Sequence, residues 1–408
     1  MRICTLVDRF PPLVGGAEIQ AKQLSVELAR QGISVMVLTR HILPELPTRE
    51  ETPTGLKIYR VPPSGERSHA RNAIGVFTFT YALLKHRHEY DLIHVHDMFS
   101  LLIAAILVRL VTRKPLVVKV PARGNIVRQP SKTTPISLYS RILHNLILPR
   151  PVWLWLLRRV DVFIAISDEI AAELREAGFA DKITRITNAV NTTRFRPTSQ
   201  SEQYALRRRL GLPIDAAVIV SHGRIVEGKR IDVLIRAISE LHKHIFNMVV
   251  ILPGPFYPQG TPLEHELKAL VKSLGLESII SFPGPTTTPE DYLRAADVFV
   301  LTSESEGLPN SLLEAMATGI PVCASNIGGI SNLIRSGHNG ILFSVEDSIA
   351  LAACLHELLT NTDRVKTITE NALGFIREKF TWDTIVADYE ILYSDLITKS
   401  QKHRRVIK

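Results

Sequence analysis

Two glutamates lie in a short stretch whose pattern indicates a binding loop. Glu306 and Glu314 are separated by seven residues, and the apolar run Val298–Leu301 precedes them. A carboxylate can accept hydrogen bonds from two neighbouring hydroxyl groups, as a ribose or another sugar supplies them. The apolar run is typical of a buried strand, and apolar residues after Asn310 repeat at helical spacing. We therefore predict a strand, a polar loop and a helix that hold a hydroxyl-rich ligand.

The beginning of that helix could hold phosphate. We predict Asn310 as the N-cap, which leaves the backbone N–H groups of Ser311, Leu312 and Leu313 without partners at the positive end of the helix. Backbone donors in this position bind phosphate. Glu314 is then expected in the first turn. A surface turn with solvated carboxylates leaves the same residue types, so both interpretations stay open on these residues alone.

Two basic residues follow the strand predicted for Ala217–Ser221. Arg224 and Lys229 flank a short loop that contains Gly228. Arginine offers paired N–H donors and lysine a compact charge, so the two together could neutralise one diphosphate. Ordinary basic residues on the surface are the alternative interpretation.

A glycine pair separates the first predicted strand, residues 2–7, from an amphipathic helix that reaches about Arg30. Gly15 and Gly16 could let the backbone approach a ligand closely. The surrounding residues do not form the G-x-G-x-x-G pattern, which argues against a nicotinamide cofactor. A plain tight turn also explains the pair.

Two histidines mark the end of another predicted strand, Asp91–Asp97. His94 and His96 are two residues apart, so they point to the same side of the strand. Parallel strands present active groups at their carboxyl ends. Paired histidines can bind a metal, but no third ligand follows at a convincing spacing, and we predict no metal. Two polar residues at a strand end remain the structural alternative.

The whole chain has the composition of a two-domain α/β protein. Its 408 residues suffice for two domains, and alternating strand and helix patterns favour parallel sheets. Cys4, Cys323 and Cys354 are widely spaced and indicate free thiols in a reducing compartment. The first residues lack a signal peptide, and the longest apolar runs are too short to span a bilayer. We therefore predict a cytoplasmic protein.

Positive charge is concentrated in the first half of the chain. Residues 1–197 contain 28 Lys and Arg against 16 Asp and Glu, and residues 98–160 contain no acidic residue. Trp153 and Trp155 lie between Arg150 and Arg158 in this region, a composition that suits a membrane interface. An anionic membrane surface or a lipid-linked acceptor would fit it, whereas no nucleic-acid motif accompanies the charge. A core helix with solvated arginines is the alternative.

Three segments resemble one known family. The stretch EGLPNSLLEAMATGIPV resembles the E-x7-E signature of the retaining glycosyltransferases of family GT4, which have the GT-B fold. The residues from Gly223 to Lys229 match the G-R-x-x-x-x-K pattern of that family. NAVNTTRFRP resembles its N-G-V-D-x-x-x-F-x-P segment, although Ala189 and Asn191 replace the usual Gly and Asp.

The resemblance implies an α/β fold of two Rossmann-like domains whose parallel sheets face an interdomain cleft. Residues 1–197 would form the acceptor-binding domain and residues 198–380 the nucleotide-sugar-binding domain. Residues 381–408 would form a C-terminal helix that crosses back to the first domain. Within the family, the donor diphosphate is neutralised by the Arg and Lys of the second domain and the ribose is held by the second glutamate.

The resemblance also implies the reaction. A sugar would move, with retention of configuration, from a nucleoside diphosphate sugar to a hydroxyl acceptor, without metal or other cofactor and with a UDP-sugar favoured over a GDP-sugar. The predicted catalytic residues are His96, Arg224, Lys229 and Glu306, with His94 as the alternative to His96 for the histidine that contacts the donor sugar. The predicted donor-binding residues are Gly15, Gly16, Arg224, Lys229, Glu306, Gly307, Leu308, Asn310, Ser311, Leu312 and Glu314.

The acceptor is predicted to be a lipid-linked or other glycan precursor at the inner face of a membrane. A soluble transferase acting on a small sugar or sugar phosphate is one alternative. A nucleotide-sugar epimerase on the same fold is another, and a GT-B protein that only binds partners is a third. The intact set of Arg224, Lys229, Glu306 and Glu314 argues against the last.

Overall fold

The computed structural model describes residues 1–11, 15–65, 68–122, 124, 126, 149–257 and 259–406. Part of the acid-free basic region, residues 123, 125 and 127–148, lies outside the described residues, as do residues 12–14 just before the glycine pair. The chain forms two compact units. The first comprises Met1–Asn188 together with Trp382–Lys408, and the second comprises Ala189–Thr381.

The first unit is built on an eight-stranded sheet. Its strands are β1 (Arg2–Val7), β2 (Ser34–Arg40), β3 (Arg49–Glu51), β4 (Lys57–Val61), β5 (Leu92–Val95), β6 (Leu116–Val120), β7 (Val162–Ala165) and β8 (Ile183–Arg185). The spatial order is β3-β4-β2-β1-β5-β6-β7-β8, and only the β3–β4 pair among these is antiparallel. Apolar runs such as Leu116–Val120 are buried throughout, which parallel strands covered on both faces require.

Helices cover this sheet. They span Gly16–Arg30, His69–Lys85, Ser100–Thr112, Arg150–Leu157, Asp168–Glu176 and Trp382–Val406, and a 3₁₀ turn spans Ala180–Lys182. The last helix packs against Gly16–Arg30 and buries Tyr389 and Tyr393. The two predicted membrane tryptophans differ: Trp155 is half exposed, whereas Trp153 is buried and its Nε1 donates to the Ile126 carbonyl at 3.2 Å. The membrane role predicted for Trp153 is therefore wrong.

The second unit has a six-stranded parallel sheet. Its strands are β9 (Ala217–Val220), β10 (Met248–Pro253), β11 (Ile280–Gly284), β12 (Val298–Leu301), β13 (Val322–Ser325) and β14 (Ile341–Phe343). The order is β11-β10-β9-β12-β13-β14. The chain thus moves outward from β9 in one direction, then returns to place β12 on the other side of β9. Ligands of such sheets bind beside the carboxyl ends of the two strands where the direction reverses.

Helices flank this sheet as well. They span Gln200–Arg209, Ile231–Leu241, Pro262–Ser273, Pro289–Ala295, Asn310–Thr318, Gly328–Ser331, Ser348–Thr360 and Thr362–Lys379, and a 3₁₀ turn spans Glu227–Lys229. The helix Gln200–Arg209 begins after Ser199, whose hydroxyl accepts the Glu202 backbone N–H at 3.2 Å. In the core, Ile231–Leu241 packs against Ser348–Thr360.

Both sheets confirm the predicted α/β fold with Rossmann-like parallel order. Each sheet has a first strand with later strands on both sides, and therefore a reversal point between β1 and β5 or between β9 and β12. None of the described helices is both long enough and apolar enough to cross a membrane.

Candidate active site

The loops after β9 and β12 meet at the reversal point of the second sheet. The two strands pair in parallel through Val298 with Ile219 and Phe299 with Val220. Beyond the strands, the Thr302 hydroxyl donates to the Lys229 carbonyl at 2.7 Å, and the Glu304 backbone N–H donates to the Gly228 carbonyl at 3.0 Å. The sheet therefore brings the predicted Arg-Lys loop and the predicted glutamate loop into direct contact.

Lys229 and Glu306 form an ion pair between these loops. The lysine Nζ lies 2.5 Å from Oε1 of Glu306, and the Ser303 hydroxyl donates to the same oxygen at 2.7 Å. The Lys229 and Glu306 side chains are 25% and 16% exposed. The residue predicted to hold the diphosphate is thus paired with the residue predicted to hold the sugar. Ser303 is absent from the sequence prediction, and its only signal is its place just after β12.

Glu314 lies beside a histidine that the sequence prediction missed. His222 Nε2 is 3.1 Å from Glu314 Oε2, within ion-pair distance but without hydrogen-bond alignment, so this buried nitrogen has no hydrogen-bond partner in the described chain. Its ring also packs edge-on against Phe299, with centroids 5.9 Å apart. His222 follows β9 almost directly, and strand order, which no local pattern reveals, brings it to Glu314.

The helix Asn310–Thr318 begins one residue earlier than predicted. Pro309 is its N-cap, with φ −72° and ψ 118°, and Asn310 is the first helical residue. The prediction of Asn310 as N-cap is wrong, because the fixed φ of proline suits the residue just before or at the start of a helix. Glu314 accordingly lies in the second turn instead of the first.

Fewer backbone N–H groups are free to bind phosphate at the start of this helix than the sequence predicts. The Leu312 and Leu313 backbone N–H groups both donate to the Pro309 carbonyl, at 3.2 and 3.3 Å, so the prediction that they are unpaired is wrong. The Ser311 N–H is the first-turn donor without a partner in the described part of the chain. Its side chain is partly exposed, whereas the Leu308 and Leu312 side chains are buried and offer only backbone atoms to a ligand.

Arg224 completes this cluster. Its side chain is exposed, with the guanidinium carbon 5.5 Å from the centre of the Tyr257 ring. Arg224 and Lys229 line the same small pocket at the carboxyl end of β9, together with Ser221, His222, Gly223, Ile225, Ile231, Leu252 and Leu301. The structure thus brings Arg224, Lys229 and Glu306 together in the second unit and places Glu314 beside His222 of the same pocket, and their donor-binding roles stay predictions.

Two glycines fix the positions of these loops. A Cβ on Gly254 would lie 1.8 Å from the Gly223 carbonyl oxygen, and the φ of Gly254 is +158°. A Cβ on Gly329 would lie 2.4 Å from the Glu306 carbonyl oxygen and 2.5 Å from that of Gly307. Because backbone cannot yield as a side-chain end can, both positions require glycine.

His96 lies at the corresponding reversal point of the first unit. Its backbone N–H donates to the Leu6 carbonyl at 2.8 Å, directly after β5. The His94 and His96 rings are in contact, with centroids 4.1 Å apart and planes tilted by 46°, and the Tyr393 hydroxyl is 2.7 Å from His94 Nδ1. Both Nε2 atoms are buried without a hydrogen-bond partner in the described chain. This leaves His96 with a donor or acceptor for a bound group.

Burial keeps these imidazoles neutral. It lowers the pKa of His94 and of His96 well below the ordinary value, and for His96 the neighbouring His94 and the Lys119 charge add to the effect. Lys119 itself is 6% exposed in β6, and burial lowers its pKa to about 7. It has no ion-pair partner among the described residues. In the sequence, the sign of this buried charge is a single lysine within an otherwise apolar strand.

The glycine pair forms the start of the helix Gly16–Arg30. Gly15 is the N-cap, with an extended backbone, and its carbonyl accepts the Ile19 N–H at 3.0 Å. A Cβ at Gly15 would meet the Glu18 carboxylate at 2.6 Å, but that side chain can move. The pair thus follows β1 in the chain and begins the first helix, and the donor-binding roles of Gly15, Gly16 and His96 stay predictions.

Both halves of the chain match known families. Residues 202–374 match Glycosyl transferases group 1, and residues 14–194 match Glycosyltransferase Family 4. The chain belongs to glycosyltransferase family 4. The predicted family and the predicted enzyme class, glycosyl transfer, are confirmed.

Several relatives carry one name. The D-inositol 3-phosphate glycosyltransferase of Streptomyces scabiei is 27% identical over an alignment of 410 positions, which covers 96% of this chain and 88% of that protein. The D-inositol 3-phosphate glycosyltransferase 2 of Catenulispora acidiphila is 29% identical, and the alignment covers 93% of this chain and 90% of that protein. The relative from Thermobispora bispora is 32% identical over an alignment of 254 positions, which covers 60% of this chain and 58% of that protein.

Solved structures show the same fold. Sucrose-phosphate synthase from Thermosynechococcus elongatus matches with a TM-score of 0.82 at 23% identity, covering 98% of this chain and 99% of that one. Anabaena HepE, solved in complex with UDP, matches with a TM-score of 0.75 at 22% identity, and the match covers 97% of this chain and 100% of that one. At these identities the likeness concerns the fold alone.

Proposed function

We propose that the second unit binds a nucleoside diphosphate sugar beside the carboxyl ends of β9 and β12. The observation that carries this proposal is the convergence of Arg224 and Lys229 on one pocket, with Glu306 directly bonded to Lys229. The two cations and the Ser311 N–H bind the diphosphate. Glu314 accepts hydrogen bonds from the ribose hydroxyls, and Glu306 from hydroxyls of the sugar.

Donor binding exchanges partners within this cluster. Without a donor, Glu306 neutralises Lys229, which limits the cost of keeping a partly buried ammonium group. A diphosphate oxygen replaces the carboxylate at Lys229 and frees Glu306 for sugar hydroxyls. The Ser303 hydroxyl holds Glu306 in place during this exchange.

The donor base is uracil in this proposal. Support comes from Anabaena HepE, which shares the fold and was solved with UDP and with UDP-glucose. No metal and no other cofactor takes part in the proposed reaction, since two cations and a backbone donor meet the diphosphate charge.

The proposed reaction retains the configuration of the sugar. The bond between the anomeric carbon and the diphosphate oxygen breaks while the acceptor hydroxyl oxygen bonds to the same face of that carbon. The departing phosphate oxygen receives the acceptor proton. Arg224 and Lys229 stabilise the negative charge that develops on the leaving group, which is where fixed donors lower a barrier most effectively.

The acceptor is proposed to be a lipid-linked glycan precursor, used by a cytoplasmic enzyme at the inner face of a membrane. The basic, acid-free composition of residues 98–160 supports it. A second candidate acceptor is a small sugar or polyol phosphate, which the name of the relatives, D-inositol 3-phosphate glycosyltransferase, favours. The two candidates share one donor site and differ only in what receives the sugar.

A thermal-shift screen followed by a transfer assay tests the proposal. UDP-, GDP- and ADP-sugars are added singly, and a bound donor raises the melting temperature by mass action. We expect UDP-sugars to give the largest shift. UDP release is then measured with inositol phosphate, with sugar phosphates and with lipid-linked acceptors in detergent. UDP release that no acceptor accelerates, or stabilisation only by nucleotides outside the UDP series, would contradict the proposed reaction or donor.

A further inference from the structure

One helix of the first unit exposes a row of large apolar side chains. Ile74, Phe77 and Tyr81 of His69–Lys85 are 49%, 75% and 68% exposed. Their spacing of three and four residues places them on one face of the helix. The opposite side of the same helix carries the fully buried Phe79 and Leu83. The exposed row therefore faces away from the sheet.

The neighbouring helix extends this surface. Ser100–Thr112 packs along His69–Lys85 and exposes Leu107, Leu110 and Val111, with Val111 73% exposed. Its remaining apolar residues are buried, except Ile103, which is half-buried. Because both helices cover the same sheet, their exposed rows lie side by side. We call Ile74, Phe77, Tyr81, Leu107, Leu110 and Val111 the outer apolar face. Contiguous apolar surface of this kind marks an interaction site.

Positive charge borders the outer apolar face. Lys85, Arg87 and Arg113 are exposed at the carboxyl ends of the two helices, and neither helix contains an Asp or Glu. The Lys114 ammonium group donates to the carbonyls of Arg87 and Tyr90, which ties the two helix ends together. The basic residues therefore form one cluster at one end of the apolar rows.

The carboxylates near this cluster already have partners. Glu89 lies 2.7 Å from His86 Nδ1, and Asp91 pairs with Arg2 at 2.6 Å. Within the described chain, no carboxylate therefore forms an ion pair with Lys85, Arg87 or Arg113.

A third helix adds an aromatic residue of the same character. Trp155 of Arg150–Leu157 is 49% exposed, and the guanidinium of Arg159 lies 4.8 Å from the centre of its ring. This helix lies between β6 and β7 in the chain, as Ser100–Thr112 lies between β5 and β6. Right-handed crossovers place both helices on the same side of the sheet. Tryptophan beside arginine suits the boundary between lipid headgroups and acyl chains.

We propose that the outer apolar face docks on the surface of an anionic lipid bilayer, with the apolar side chains among the acyl chains and the basic cluster at the headgroups. A face that combines apolar residues with an uncompensated positive border binds lipid in this way. A second copy of the chain fits less well, since its matching face is apolar and basic and offers no negative charge to the basic cluster. The inference rests on the proposed function only for its purpose, delivery of the enzyme to a lipid-linked acceptor.

Vesicle flotation of the full chain tests the proposal. Wild type is mixed with vesicles of phosphatidylcholine alone and of phosphatidylcholine with 40% phosphatidylglycerol. The test variant is F77S/Y81S/V111S. The matched control is F246S/I349S/I391S, whose residues are 76%, 73% and 71% exposed elsewhere. Light scattering after size exclusion records the oligomeric state of each, and a UDP thermal shift records the fold and the donor site.

We expect wild type and the control to float with the anionic vesicles and not with the neutral ones. The test variant should float at least tenfold less, with the UDP shift unchanged. Absence of wild-type flotation would overturn the proposal, and so would equal losses in the two variants. A dimeric wild type that becomes monomeric only in the test variant would assign the face to a second copy instead. A normal UDP shift without flotation refutes the docking face alone, and flotation without a UDP shift refutes the donor site alone.

Discussion

At the scale of single residues, the site depends on one lysine shared between a carboxylate and a prospective diphosphate. The sequence predicts Arg224, Lys229, Glu306 and Glu314 because a signature spacing and basic residues beside a glycine loop are visible locally. The pairing of Lys229 with Glu306 is not visible, since the two residues meet only through the adjacency of β9 and β12. His222 was missed for the same reason.

Replacing Lys229 tests this chemistry. We expect Lys229→Ala to fold but to lose roughly 10²-fold in kcat, the usual effect of removing one donor to a developing anion. Lys243→Ala is the control, since Lys243 also bonds a glutamate, Glu240 at 2.6 Å, but is 61% exposed. Transfer rates are measured with a saturating UDP-sugar. Equal rates for Lys229→Ala and wild type would remove Lys229 from the reaction.

The buried Lys119 should make the unfolding free energy depend on pH. Its pKa falls from 10.5 to about 7 on folding because of burial. Between these values the unfolded chain binds a proton that the folded chain lacks, so the unfolding free energy of wild type rises with pH across that window. The free-energy cost of burying the charged lysine is therefore complete below pH 7 and disappears near pH 10.5.

Lys119→Met should therefore stabilise the first unit, by about 3 kcal/mol more at pH 6.5 than at pH 9.5. Urea unfolding of wild type and variant at these two pH values measures the difference. Lys399→Met, which changes a 71% exposed lysine in the same unit, should show no comparable dependence on pH. A pH-independent effect of Lys119→Met would mean that Lys119 keeps its ordinary pKa in the folded chain.

At the scale of elements, the sequence predicts which segments form strands more securely than where helices begin. The strands Arg2–Val7 and Val298–Leu301 match their predicted bounds, because short apolar runs of this kind are typical of strands in a covered parallel sheet. The start of Asn310–Thr318 differs by one residue. Pro309 and Asn310 can both cap a helix, and tertiary contacts decide between them.

The backbone contact at Gly329 gives a prediction at this scale. Gly329→Ala places a methyl group within 2.5 Å of the Glu306 and Gly307 carbonyls, so the glutamate loop must move. We expect transfer to fall at least tenfold and the unfolding free energy to fall by about 1–3 kcal/mol. Gly374→Ala is the control, because a Cβ at Gly374 meets nothing within 4 Å. Matching transfer rates in both variants would show that the loop position is not critical.

At the scale of the whole molecule, the two units divide the charge and the chemistry. The first 197 residues carry the basic excess, and the second unit carries the clustered Arg224, Lys229, Glu306 and Glu314. Composition alone predicted the basic first half. It did not predict the outer apolar face, because Ile74, Phe77 and Tyr81 look like core residues until the sheet shows which side of their helix is covered.

Flotation should depend on salt if the basic cluster contributes to docking. We expect binding of wild type to anionic vesicles to fall several-fold between 0.05 M and 0.5 M NaCl, since screening shortens the reach of surface charge. Lys85→Gln with Arg113→Gln should bind less at low salt and respond less to added salt. Binding that is unaffected by salt in both proteins would assign docking to apolar contact alone.

The central claim is that the Arg224–Lys229 pocket binds the diphosphate of the donor. Titration calorimetry of UDP against wild type, Lys229→Ala and the Lys243→Ala control tests it most directly. We predict saturable binding to wild type and to the control, and affinity at least tenfold weaker for Lys229→Ala. Wild-type affinity in Lys229→Ala, or no UDP binding to wild type, would contradict the claim.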